Sequence, residues 1–298
     1  MTERGAADFR LGERNVVRDA HNFVVHLRLP FQLLLAPFML WGAALARTPI
    51  SARFVAGFVV MHVCLYGGTT AYNSHYDRDE GPVGGLEHPP PVGPWLLPGS
   101  LVLQAFGLTV AAWVGAEFFV ACLACVILGI LYSHPTPRWK GNPWLSWLVV
   151  MGGQGALGTA AGVVAGGNAH LTPEIVCGLV AASALVGALY PLTQLFQTVD
   201  DHARGDRTVA IALGRRGTCA ASVLLSLIGA AFAGLSAHFA GRPWDALLLA
   251  GAALPMTVGA AWVCEPGEAR AVYRRVSRFQ IAAGGAFGVY AVLRLCLF

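Results

Sequence analysis

Two groups of carboxylates stand out in a chain where only 12% of residues are charged. Asp77, Asp79 and Glu80 follow one long apolar stretch, and Asp200, Asp201 and Asp206 follow another, together six of sixteen acids. Crowded carboxylates repel one another unless a cation or a basic partner holds them, so this pattern points to a metal site. Asn73 and Asp77 are four residues apart, and Gln197 and Asp201 repeat the interval with Asp200 alongside. On a helix that interval places side chains on one face, one turn apart. Two helix ends bearing Asn73, Asp77, Asp200 and Asp201 could hold magnesium between them. Magnesium prefers oxygen ligands, keeps several waters and usually takes one or two carboxylates together with substrate phosphates. That chemistry favours a diphosphate bridged by metal over a closed structural cage.

Basic residues follow in the same kind of position. Arg138 and Lys140 lie in the segment from Tyr132 to Lys140, and Lys140 is the only lysine in the chain. Arg204 and Arg207 flank Asp206. Such cations would neutralise a departing diphosphate. Arg270, Arg274, Arg275 and Arg278 read instead as charges that set membrane topology.

The elements that must position these residues are membrane helices. Hydrophobic residues make up 56% of the chain and the mean hydropathy is +0.59, more apolar content than one soluble core needs. Nine spans are expected, at about 30–47, 52–74, 95–114, 116–133, 144–166, 174–196, 217–240, 243–264 and 277–297. With the N-terminus inside, sixteen of the twenty Lys and Arg residues fall on the cytoplasmic side, and both acid groups face the cytoplasm. The expected setting is the inner (cytoplasmic) membrane. The net charge of +4 is accounted for by anionic headgroups of membrane lipid, with no nucleic acid partner implied. Residues 1–29 carry both signs of charge, lack the apolar core of a cleavable signal and read as a cytoplasmic tail of one domain over residues 1–298. No feature of the sequence sets an oligomeric state.

Several other features have plainer readings. The segment His88–Pro94 is a stiff, extended spacer. Cys122 and Cys125 fall inside a span and read as packing rather than redox or zinc chemistry. His62, also inside a span, reads as a hydrogen-bonded core histidine. Glycines at 152, 153, 155, 158 and 162 let helices approach closely. Gln154 differs from them, because an amide within a span must find a partner or line a cavity.

The ensemble resembles the UbiA superfamily of intramembrane prenyltransferases. The stretch Asn73–Glu80 looks like the first aspartate-rich motif, written NDxxDxxxD. Asp201–Thr208, continuing to Ala210, Leu213 and Gly214, looks like the second. Tyr132, Ser133 and Pro135, leading to Arg138 and Lys140, resemble the loop after the fourth span. The resemblance implies an all-α bundle around a central cavity with a cytoplasmic cap. It implies magnesium holding the diphosphate of an isoprenyl donor, and a lipophilic acceptor that is aromatic, a quinone precursor, a tetrapyrrole or another lipid. Asn73, Asp77 and Asp201 match metal-binding positions, Asp200 being their neighbour. Asp77 and Asp201 are the expected catalytic residues. Arg138, Lys140 and Arg207 match diphosphate-contacting positions, and Arg78 within the first motif joins them. Asp79 is a candidate base for the acceptor's proton.

Two positions depart from the pattern. Gly81 stands at the last aspartate of the first motif, and Gln197 at the first aspartate of the second DxxxD. An amide can ligate magnesium through its carbonyl oxygen but brings no charge and cannot act as a base. A terpene cyclase using the same ionisation, and a transporter or inactive scaffold with a relic site, are the competing readings. The last is disfavoured by the scarcity of ionisable groups at the centres of the spans.

Overall fold

The computed structural model describes residues 16–167 and 170–297; residues 1–15 of the expected tail lie outside the described residues. The elements in chain order are α1 (Val16–Gln32), α2 (Ala36–Ala46), α3 (Ala52–Asp77), α4 (Leu96–Val114), α5 (Ala116–Ser133), α6 (Pro143–Val164), α7 (Pro173–Gln194), the short α8 (Thr198–Ala203), α9 (Val209–Phe239), α10 (Pro243–Val263) and α11 (Ala269–Cys296). Among the described residues, eight helices are long and apolar enough to cross a membrane, and α1 with α2 forms a ninth span when the bent pair is taken as one. The chain is an all-α, multi-pass integral membrane protein.

Local chemistry sets the boundaries. Asn142 accepts from the N–H groups of Trp144 and Leu145 at 3.0 and 3.1 Å and starts α6, with Pro143 as its first residue. Ser51 does the same for α3 through Phe54 N–H at 3.2 Å. The 46° bend between α1 and α2 falls just before Pro37, which has no N–H to donate to Leu33 and crowds that carbonyl.

Three expected boundaries move. The first span was placed at 30–47, but helix runs back to Val16 with a break at Leu27 and Arg28, so Arg28 sits in a left-handed turn (φ 51°) within the helical segment rather than in a tail. The seventh begins at Val209, because Gly214 (φ 63°, ψ 173°) lets a short helical piece run into the long one across a kink. The ninth begins at Ala269 and carries Arg270, Arg274, Arg275 and Arg278 on its first turns.

Backbone contacts between small residues hold the bundle. A Cβ on Gly162 would run into the Met39 carbonyl, and one on Gly42 into that of Thr159, so α2 and α6 touch main chain to main chain. α7 lies along α9, and α11 covers α2. These helices surround one cavity of about 940 Å³, walled by α1, α2, α3, α5, α6, α7, α9, α10 and α11. Among the described residues α4 contributes nothing to that wall and packs outside, against α3 and α5.

Candidate active site

The cavity's polar mouth is built from the ends of four elements. Asn73 and Asp77 lie one turn apart on the last turns of α3, and both line the cavity. Arg78 ends that helix in the left-handed conformation (φ 50°), its N–H donating to the Ser74 carbonyl at 3.0 Å. The Ser133 hydroxyl, at the end of α5, donates to Asn73 Oδ1 at 2.9 Å and fixes the amide's orientation. The 3₁₀ turn Trp139–Gly141 then brings Lys140 inward, where its buried ammonium pairs with Asp77.

The second acid group closes from the opposite side. Asp201 N–H donates to the Gln197 carbonyl at 2.9 Å, so these two residues share one helical turn, and both side chains line the cavity. Arg204 Nη1 donates to Asp79 Oδ1 and Nη2 to Asp201 Oδ1, each at 2.7 Å. One guanidinium therefore joins the two acidic motifs across the mouth. Arg138 grips Asp206 with Nε and Nη2 at 2.8 and 2.9 Å, a bidentate pair. Arg28, held in a left-handed conformation (φ 51°), is buried and donates to Ser74 Oγ at 2.7 Å and the Gly84 carbonyl at 3.3 Å.

Burial shapes the ionisation of these groups. It holds the Lys140 ammonium down to about 8, with the Asp206 carboxylate pulling upward, Arg204 pushing down and Asp201 again pulling upward. It also pushes the Asp201 carboxyl above its ordinary value, opposed by the Arg204 hydrogen bond. Below the mouth the Tyr132 and Tyr190 hydroxyls meet at 2.9 Å, and the wall beyond them is largely aliphatic, including Leu128, Leu185 and Val186.

Of the residues singled out in the sequence, Asn73, Asp77, Asp201 and Lys140 come together on the cavity wall. Arg138 stands one step back, behind Asp206. Arg78, Asp200 and Arg207 are outside the lining; the Arg207 side chain is exposed, and its N–H donates to the Gly141 carbonyl at 3.1 Å. Asp200 is exposed, with Oδ2 2.9 Å from where a Cβ on Gly81 would stand, so it covers that glycine rather than facing the cavity. Arg28 was counted among topology charges, and only the fold, with Arg28 on the cavity wall, reveals its position. Arg204 and Arg207 were grouped by spacing, and the resemblance put Arg207 among the diphosphate contacts, whereas it is Arg204 that lines the cavity.

The donor set can be tested against magnesium. No group of three or more His, Cys, Asp or Glu side chains converges on a metal-sized space among the described residues. What the mouth offers is hard oxygen from Asn73, Asp77 and Asp201 on two facing elements. That set suits an ion that enters with phosphate oxygens and waters completing its shell, and does not suit a closed cage.

A bundle of about nine spans, with a polyionic mouth over a largely apolar chamber, defines a class of integral membrane protein with an amphiphilic cavity. The UbiA prenyltransferase family matches residues 35–282. The chain belongs to that family, whose members are enzymes. It is 26% identical over 226 residues to chloroplastic chlorophyll synthase of rice (Oryza sativa subsp. japonica), an alignment that covers 70% of this chain and 57% of that enzyme. It thus spans less than two thirds of this relative's length. A UbiA homologue from Archaeoglobus fulgidus bound to GPP and Mg2+ superposes with a TM-score of 0.68 at 20% identity, covering 91% of this chain and 99% of that one. A structure of digeranylgeranylglyceryl phosphate synthase gives 0.63 at 13% identity, covering 92% and 99%. At these identities the structural likeness is one of fold.

Proposed function

We propose that this protein transfers an isoprenyl group from an isoprenyl diphosphate to a lipophilic acceptor within the membrane, releasing diphosphate. The single observation that carries the reading is the Arg204 bridge between Asp79 and Asp201, which closes both acidic motifs over the mouth of an apolar chamber. Membership of the UbiA prenyltransferase family and the GPP and Mg2+ bound to a homologue of the same fold support it. The similarity to a rice chlorophyll synthase keeps a tetrapyrrole among the acceptors already expected.

Asn73, Asp77 and Asp201 are the residues that would hold magnesium, which when bound with the diphosphate supplies charge neutralisation for the leaving group. Lys140 and Arg204 contact diphosphate oxygens directly, Arg28 adds a third cation, and Arg138 positions Asp206. As the allylic C–O bond breaks, its electron pair leaves with the diphosphate and the carbocation forms in the chamber below. A nucleophilic carbon or oxygen of the acceptor closes the new bond, and its proton passes to a carboxylate, for which Asp79 on the cavity wall is the candidate. Apolar walls and the loop carrying Val83 and Gly84 exclude water that would otherwise trap the cation. The positive-inside pattern orients the mouth toward the cytoplasm, in an inner-membrane setting.

The test uses purified protein with magnesium and geranyl, farnesyl or geranylgeranyl diphosphate, with and without a lipid extract. Diphosphate release that requires the extract, with a prenylated product, is expected. Release without the extract and with a cyclic hydrocarbon would replace transfer by cyclisation, and no release with any donor would refute the proposal.

A further inference from the structure

The diphosphate chemistry leaves Gln154 unused. It lies in a π-helical turn of α6, Met151–Ala156, and lines the deep part of the chamber. A second π-helical segment, Val60–Gly67, interrupts α3, and the two meet: the Tyr66 hydroxyl donates to the Gly153 carbonyl at 3.1 Å, and Cys125 Sγ lies 3.6 Å from the same oxygen. Such turns carry an extra residue, redirect the side chains they hold and recur at functional sites.

Gly153 is thus served from α3 and α5, while the neighbouring Gln154 side chain makes no hydrogen bond to protein among the described residues. The half-buried Gln154 amide opens on the chamber, whose lining also includes Leu128, Val150 and Leu185, so its partner is expected from within that space. An isoprenyl tail, which is pure hydrocarbon, carries none.

We propose that Gln154 anchors the second substrate, a lipophilic acceptor, through a hydrogen bond from its amide to an oxygen or nitrogen of that molecule. The word acceptor rests on the transfer reading above, whereas the anchoring is measurable without turnover.

Equilibrium dialysis of the purified full chain with 2-naphthol and with 2-methylnaphthalene, each corrected for partition into protein-free micelles, isolates the hydroxyl. Wild-type protein should bind the naphthol about fivefold to tenfold more tightly, and Gln154→Leu should erase that preference. The affinity for geranylgeranyl diphosphate, measured in parallel, should be the same for the two proteins. Gln154→Met replaces the leucine variant if that one fails to yield folded protein. A wild-type protein without the preference, or a variant that keeps it, overturns the anchor. Failure of every protein to bind the diphosphate would instead sink the transfer reading, with the naphthol comparison still deciding the anchor.

Discussion

Arg204→Gln is the sharpest test of how the mouth is held. The guanidinium makes two charge-assisted hydrogen bonds at 2.7 Å, to Asp79 and Asp201, and approaches Asp206 at 3.8 Å. Such bonds contribute about 1.5–3 kcal/mol each, and the Arg204 side chain is 24% exposed, so part of that is recovered by water. A loss of about 3 kcal/mol is about 100-fold in kcat/KM at about 1.4 kcal/mol per factor of ten. Arg204→Lys should recover only part, because an ammonium cannot span two carboxylates with a planar fork. Arg207→Gln removes an exposed side chain and should stay within about threefold of wild type. The assay is diphosphate release from geranylgeranyl diphosphate at saturating magnesium, with melting temperature in detergent recorded to separate folding from function. If Arg204→Gln works within threefold of wild type, or Arg207→Gln falls as far as Arg204→Gln, the assignment of the bridging cation is wrong.

Three further outcomes follow from the geometry. Lys140 is protonated below about 8, so kcat/KM for the donor should be level below that pH and fall about tenfold per unit above it, and Lys140→Arg should remove the break in a pH profile. Gln197→Asp adds a carboxylate one turn before Asp201 on the same wall, so it should lower the magnesium concentration needed for half-maximal release; a higher requirement would show that position 197 does not face the ion. Gly162→Val forces a side chain into the Met39 carbonyl and should cost about 1–3 kcal/mol or more, read as a lower melting temperature or loss of monodisperse protein; an unchanged melt would contradict the α2–α6 contact.

The spans were legible because lipid demands long apolar runs, and some helix starts carry their own signal, as Asn142 and Pro143 do for α6 and Ser51 for α3. Asn73, Asp77, Gln197 and Asp201 were legible because helical spacing alone puts each pair on one face. His62 was legible as well: its Nδ1 lies 2.8 Å from the Phe58 carbonyl, as a core histidine requires. The cations were harder. Arg204 and Arg207 are three residues apart in a loop whose path no periodicity sets, and only the folded chain turns Arg204 inward and leaves Arg207 outside.

By itself the sequence determined the membrane setting, the order of helices and the residue types gathered at two helix ends, because these depend on solvent transfer and on contacts within one or two turns. Which charges meet was decided by tertiary structure. Arg28 reaches the mouth from a left-handed turn in α1 and bonds Ser74, Lys140 reaches Asp77 through a 3₁₀ turn, and Asp200 is spent over Gly81. Gln154 shows the division most plainly: its presence in an apolar span demanded a partner or a cavity, and only the packing of two π-helical turns placed it on the cavity wall.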